Sequence, residues 1–308
     1  MTQPLPTLAS AFALAVTLLG CPASDAPATT VAADTAADTA ADTSQVPDSV
    51  DAGAPLDAPD TSLEVTADVA TVADADADAD SAVDVTPFRA LFLGNSYTYV
   101  NDLPGKVAAF ATNGGAVIET DSVTQGGVTL SGLASWSKVT QALDKGGWTH
   151  VVLQGQSLEP VDSPESFAMG AKALADKVPK SATRAFYTTW PRKVGSSEYQ
   201  NPVFGGTPAA FAAKLQVAYQ AAADAHGGVR VKVGDAWMSA IAAHPAIDLY
   251  QADGSHPSEN GTYLTACVFA ATLFAVEPAT VTWRPEAVTE GDAAALRDIC
   301  RKVVMNGR

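Results

Sequence analysis

The chain has 308 residues, 47% hydrophobic and 7% aromatic, with 34 acidic against 18 basic side chains and a formal net charge of −16. Fifteen of those acids lie between residues 22 and 87, and no Lys or Arg occurs before Arg89, so the remainder holds 19 acidic and 18 basic residues. The charge is the property of one segment, and nothing in it would neutralise phosphates, which argues against nucleic acid as a partner.

Residues 1–21 end an apolar run, "LASAFALAVTLLGC", too short to stay as a spanning helix. Leu18-Leu19-Gly20-Cys21 resembles the bacterial lipobox, which implies cleavage before Cys21, lipid on its thiol, and a membrane-anchored lipoprotein facing the periplasm or cell surface. Residues 22–87 repeat Ala, Asp, Thr and Pro without an aromatic residue ("AADTAADTAADTS", "ADADADADS"). Such a self-repelling chain cannot bury enough apolar surface to offset its ordering entropy, so a disordered tether is expected.

Residues 88–308 suffice for one α/β domain with a full core. Strand-like runs at 89–94, 116–124, 150–155, 184–190 and 229–235 alternate with helical patterns at 103–114, 130–146, 163–178 and 207–228, and two more follow at 261–275 and 291–307. The run at 261–275 is apolar nearly all round and should be largely buried. Alternation of this kind predicts right-handed crossovers and a parallel sheet covered on both faces, with ligands beyond the carboxyl ends of the strands. Apart from Cys21 only Cys267 and Cys300 remain. In an exported chain a Cys267–Cys300 bridge stands beside the alternative of two buried thiols.

"LFLGNSYTYV" carries a buried strand into Gly94-Asn95-Ser96, which would present Ser96 at the rim of the sheet. A serine needs a base to become a nucleophile. Of His150, His226, His244 and His256, only His256 has an acid three residues earlier, Asp253 in "DGSH". A turn there lets the carboxylate fix the imidazole tautomer and leaves Nε2 for the serine proton. His150 reads as packing and His226 as a helix-end residue. Oxyanion donors are sought in "TQGGVTL", where the Gly127 (or Gly126) N–H can approach closely, and in "VVLQGQS", through Gln154 or Gln156.

Taken together, Gly94-Asn95-Ser96-Tyr97-Thr98, Gly127, Gln154-Gly155-Gln156-Ser157 and Asp253 to His256 resemble the four blocks of the SGNH, or GDSL-like, hydrolases. Asn95 stands where that family has Asp, and Gln156 where it has Asn. The resemblance covers roughly residues 88–277. It implies a flavodoxin-like three-layer α/β/α fold with a central parallel sheet of about five strands. It also implies a serine esterase with Ser96, His256 and Asp253 as triad. Ser96 N–H, Gly127 N–H and Gln156 would form the oxyanion hole, with no metal or organic cofactor.

Tyr97, Tyr99 and Trp190 fall beside the nucleophile or near a strand end, with Trp237 further along, and aromatic faces at a rim suit sugar rings. The substrate expected first is therefore a small acyl group, acetyl above all, on carbohydrate such as an acetylated polysaccharide. A lipase or thioesterase on the same triad, or a catalytically weak glycan-binding module, stay open as alternatives.

Overall fold

The structure, a computed structural model, describes Thr86–Met305; the signal segment, Cys21 and the linker as far as residue 85 lie outside the described residues. Five strands form one parallel sheet: β1 (Phe88–Gly94), β2 (Ile118–Thr124), β3 (His150–Leu153), β4 (Thr183–Tyr187) and β5 (Val229–Val231). Their order across the sheet is β2-β1-β3-β4-β5. The order reverses at β1, so a crevice for ligand opens beyond the carboxyl ends of β1 and β3.

The helices are α1 (Ser96–Tyr99), α2 (Leu103–Asn113), α3 (Leu130–Ser135), α4 (Ser137–Asp144), α5 (Glu159–Asp162), α6 (Pro164–Lys177), α7 (Pro208–Ala225), α8 (Val233–Ala243), α9 (Glu259–Leu273) and α10 (Glu290–Met305). They cover both faces of the sheet, and the period-2 alternation of β1 shows how. Ala90 and Phe92 enter one core, shared with α2, α8, α9 and α10, while Leu91 and Leu93 enter the other, shared with α3, α4, α6 and α7. Helix α9, apolar nearly all round, is buried from Gly261 through Ala271, as its composition predicts.

Three local departures from the sequence reading have physical causes. The run at 130–146 is two helices, broken where Trp136 adopts an extended backbone (φ −85°, ψ 125°) and packs its ring against the second core. The run at 229–235 is a strand only to Val231. Val233 then opens α8, because Val233, Ala236, Trp237 and Ala240 form a buried helical stripe. The short helix α5 follows the third strand within what reads as loop. Cys267 and Cys300 form a disulfide, which joins α9 to α10. His150 is buried and packs edge-on against Phe88 and Phe274, with its pKa lowered by burial.

Candidate active site

Ser96 opens α1 two residues after β1 ends. The turn before it is held by its neighbours. Asn95 is buried at 2% exposure and caps α1 by accepting from Tyr97 N–H. Its own N–H donates to Gln154 Oε1 at 2.9 Å, and that oxygen also accepts from Thr98 Oγ1 at 2.9 Å. Gly94 is required by this closeness, since a Cβ there would meet Thr98 Oγ1 and lie 2.6 Å from Gln154 Oε1. Gln154 is thus a brace for the serine turn.

Asn95 also explains why an amide suits this position. Its Nδ2 donates to Val128 O at 3.2 Å and to Gly155 O at 3.3 Å. One side chain therefore ties the serine turn to the loops after β2 and β3. A carboxylate could donate to neither carbonyl.

The Asp253–His256 segment is a closed turn. Gly254 supplies the left-handed residue (φ 67°), and Gln251 N–H donates to His256 O at 2.8 Å. His256 Nδ1–H donates to Asp253 Oδ2 at 2.5 Å, while Asp253 Oδ1 accepts from Ser255 N–H and His256 N–H. An ionised carboxylate only accepts, so Nδ1 carries the proton and Nε2 is left as the base. Partial burial raises the Asp253 carboxyl, but the bonds from His256 and the two amides outweigh it and hold it below its ordinary range.

Ser96 and His256 come to the same edge through their neighbours. The Tyr97 ring stands edge-on to the His256 imidazole, 5.8 Å between centroids, and Tyr97 OH is 2.8 Å from Ser255 Oγ. No hydrogen bond joins Ser96 Oγ to His256 among the described residues. Catalytic hydrogen bonds of this kind commonly tighten only with substrate bound.

The three expected oxyanion donors lie on adjacent loops, fixed by the registers Gly94↔Thr124 and Leu93↔Leu153. Gly127 takes φ 64° in the turn after β2, an exposed position where glycine meets no conformational penalty. Gln156 Oε1 accepts from Leu158 N–H at 2.7 Å and Glu159 N–H at 3.1 Å. That fixes the amide orientation and leaves Nε2 as its donor face. Among the described residues, none of Ser96 N–H, Gly127 N–H and Gln156 Nε2 is taken by a protein acceptor.

Three of the four expected rim aromatics are not at the rim. Trp190 is 1% exposed, stacked between Tyr97 (4.5 Å) and Trp237 (3.8 Å), and its Nε1 donates to Ser255 O at 3.0 Å. Tyr97 and Trp237 are buried as well. These rings form a stacked floor under the serine and histidine turns and cannot present a face to substrate. Tyr99, 41% exposed, remains at the surface.

Sequence reading missed two charged residues. Glu159, 3% exposed, accepts from Leu130 N–H and Gln156 N–H, both at 3.3 Å, and from Ser166 Oγ at 3.2 Å. It pins the end of the Gly127 loop to the Gln156 loop. Arg192 lies in the loop after β4 and contacts the serine and histidine turns. An apolar groove of about 450 Å³ lined by Pro160, Val161 and Val217 contains none of Ser96, Asp253 and His256.

The fold is shared with solved proteins. One from Slackia heliotrinireducens, assigned to the SGNH hydrolases, superposes with a TM-score of 0.53 at 28% identity, over 61% of this chain and 100% of its own. A DUF4886 family protein from Bacteroides uniformis superposes with a TM-score of 0.62 at 14% identity, over 72% of this chain and 96% of its own, a likeness of fold alone. No family model matches the chain, and no curated protein matches it in sequence.

Proposed function

Since the chain belongs to the SGNH-like hydrolase superfamily, we propose that it is a serine-dependent carboxylic ester hydrolase acting through Ser96, His256 and Asp253. The observation that carries this reading is the 2.5 Å bond from His256 Nδ1 to Asp253 Oδ2, which leaves Nε2 as a base on the edge where Ser96 is displayed.

In this mechanism Ser96 Oγ attacks the ester carbonyl carbon while His256 Nε2 takes the hydroxyl proton. The carbonyl oxygen becomes an oxyanion, received by Ser96 N–H, Gly127 N–H and Gln156 Nε2. Asp253 stabilises the imidazolium. The tetrahedral adduct collapses, and His256 returns the proton to the departing alkoxide, which leaves as an alcohol. Water, deprotonated by His256, then attacks the acyl-serine; the acyl–Oγ bond breaks, the acid leaves, and His256 returns the proton to Ser96 Oγ.

The substrate we infer is a small acyl ester, acetyl on carbohydrate first. What supports it is an open site, with the His256 and Asp253 side chains 32% and 46% exposed and the exposed ring of Tyr99 on the same short helix as Ser96. We also place the chain outside the cytoplasm, lipid-anchored through Cys21. The Cys267–Cys300 disulfide supports export, because such bonds persist in oxidising compartments.

The test is p-nitrophenyl ester hydrolysis by the wild type beside Ser96→Ala and His256→Ala, with acyl chains from acetyl to octanoyl. Turnover that falls to background in both variants and is highest on acetyl supports the whole reading. A preference for octanoyl moves the substrate class to lipids, and wild-type turnover no higher than the variants' overturns the hydrolase.

A further inference from the structure

One guanidinium touches the chain neighbour of each of three functional groups. Arg192 Nη1 donates to Tyr97 OH, next to Ser96, and to Ser255 Oγ, next to His256. Its Nη2 donates to Ser157 Oγ at 3.0 Å, next to Gln156. The nucleophile, the base and the oxyanion amide sit on loops that the sheet only brings near one another; Arg192 joins all three.

The guanidinium is itself fixed. Its Nε donates to Glu198 Oε1 at 3.0 Å, and the Arg192 side chain is only 13% exposed. The backbone adds a second tie, since Lys193 N–H donates to Gly254 O at 2.8 Å inside the histidine turn. A planar fork with five donors in fixed directions suits this task. A lysine, with three rotatable donors on one nitrogen, could not span the same three oxygens and a carboxylate.

We propose that Arg192, held by Glu198, is a positioning residue that sets the mutual geometry of Ser96, His256 and Gln156. It touches none of the reacting atoms and acts through Tyr97, Ser255 and Ser157. The kinetic part of this proposal rests on the esterase reading above.

The experiment compares full-length wild type with Arg192→Met, Arg192→Lys and Glu198→Gln. Two readouts are taken on each: kcat and KM on p-nitrophenyl acetate, and amide hydrogen exchange by mass spectrometry. Arg192→Met is expected to lower kcat about 100-fold, since misplacement by about 1 Å is enough for that, with KM changed less than about threefold. Arg192→Lys should regain only part of the loss, and Glu198→Gln should show a smaller one. Exchange should quicken together at 95–98, 155–158 and 253–257 while the β1 and β3 strands stay protected. Should Arg192→Met unfold, Arg192→Lys and Glu198→Gln carry the same comparison. Faster exchange confined to 191–200, or kcat within about threefold of wild type, overturns the proposal. If wild type shows no Ser96-dependent hydrolysis, the esterase reading falls and the exchange pattern alone decides for or against Arg192.

Discussion

The Asn101 side-chain amide donates to the Pro257 carbonyl at 2.9 Å, tying the segment that leaves α1 to the residue after His256. The same Nδ2 reaches Thr262 Oγ1 at 2.9 Å, and Lys106 Nζ bridges Asn101 O to Glu259. Asn101 and Asp102 are consecutive left-handed residues (φ 57° and 51°), a conformation that asparagine tolerates better than most.

These contacts separate hydrogen bonding from backbone preference at one position. Asn101→Gly keeps the backbone and loses two bonds, so unfolding in urea should be easier by about 1–3 kcal/mol. Asn101→Ala loses the same bonds and adds a left-handed Cβ, so it should be less stable again by about 1 kcal/mol. Equal midpoints for the two variants would show that the backbone conformation relaxes at no cost.

Asn95→Asp tests the amide in the serine turn. The new carboxylate would be buried against the Val128 and Gly155 carbonyls it now faces as a donor. A loss of about 2–4 kcal/mol at pH 7 is expected from an unpaired buried acceptor. Denaturation curves that match wild type would mean the two carbonyls find other donors.

Gln156→Glu tests the proposed oxyanion donor. The glutamate can still accept from Leu158 N–H and Glu159 N–H but has no Nε2 to give. Turnover should fall about 10²–10³-fold with little change in Tm. Gln156→Ala should lose turnover and about 1 kcal/mol of stability, because the bonds accepted from Leu158 and Glu159 N–H go too.

Glu159 carries a pH signature. Burial raises its carboxyl above the ordinary glutamate range, against the hydrogen bonds from Leu130, Gln156 and Ser166 that lower it. Between the ordinary range and the raised value the folded state holds more protons than the unfolded state, so this group makes stability fall as pH rises. Glu159→Gln can keep all three hydrogen bonds, because the Ser166 hydroxyl can accept as well as donate. Urea midpoints from pH 4 to pH 8 should therefore show the variant gaining on wild type as pH rises. A gap that is constant with pH would contradict it.

The Cys267–Cys300 bridge closes a loop with sequence separation 33 between α9 and the buried face of α10. Replacing both with serine or reducing the bond should cost about 3–4 kcal/mol in urea unfolding by the loop-entropy relation. The cysteines lie outside the site, so kcat below the unfolding transition should be unchanged.

Much of this architecture is legible in local patterning. Five strand-like runs alternating with helical patterns predict the five-stranded parallel sheet, and "GNS" and "DGSH" mark the two turns that the fold brings to one edge. The unread parts depend on contacts between distant residues. Nothing near Arg192 in the chain reveals its partners Tyr97, Ser157 and Ser255, which lie 95, 35 and 63 residues away. Trp190 looks like a rim aromatic because its position at a strand end says nothing of the Tyr97 and Trp237 rings that enclose it. Helix α8 was hidden because Val231, Lys232 and Val233 continue the strand alternation, and only the stripe from Val233 to Ala240 argues for a helix.

The bond between Tyr97 and Ser255 spans 158 residues of chain. The serine turn belongs to the first strand of the domain and the base to the segment just before α9, so the two are synthesised far apart in time. A chain emerging from the ribosome carries Ser96 long before it carries His256, and in that interval its hydroxyl is without the proposed base. On the proposed triad, hydrolytic competence would arrive late in synthesis, and esterase activity in a refolding experiment would time the docking of the C-terminal part on β1 rather than the first collapse of the sheet.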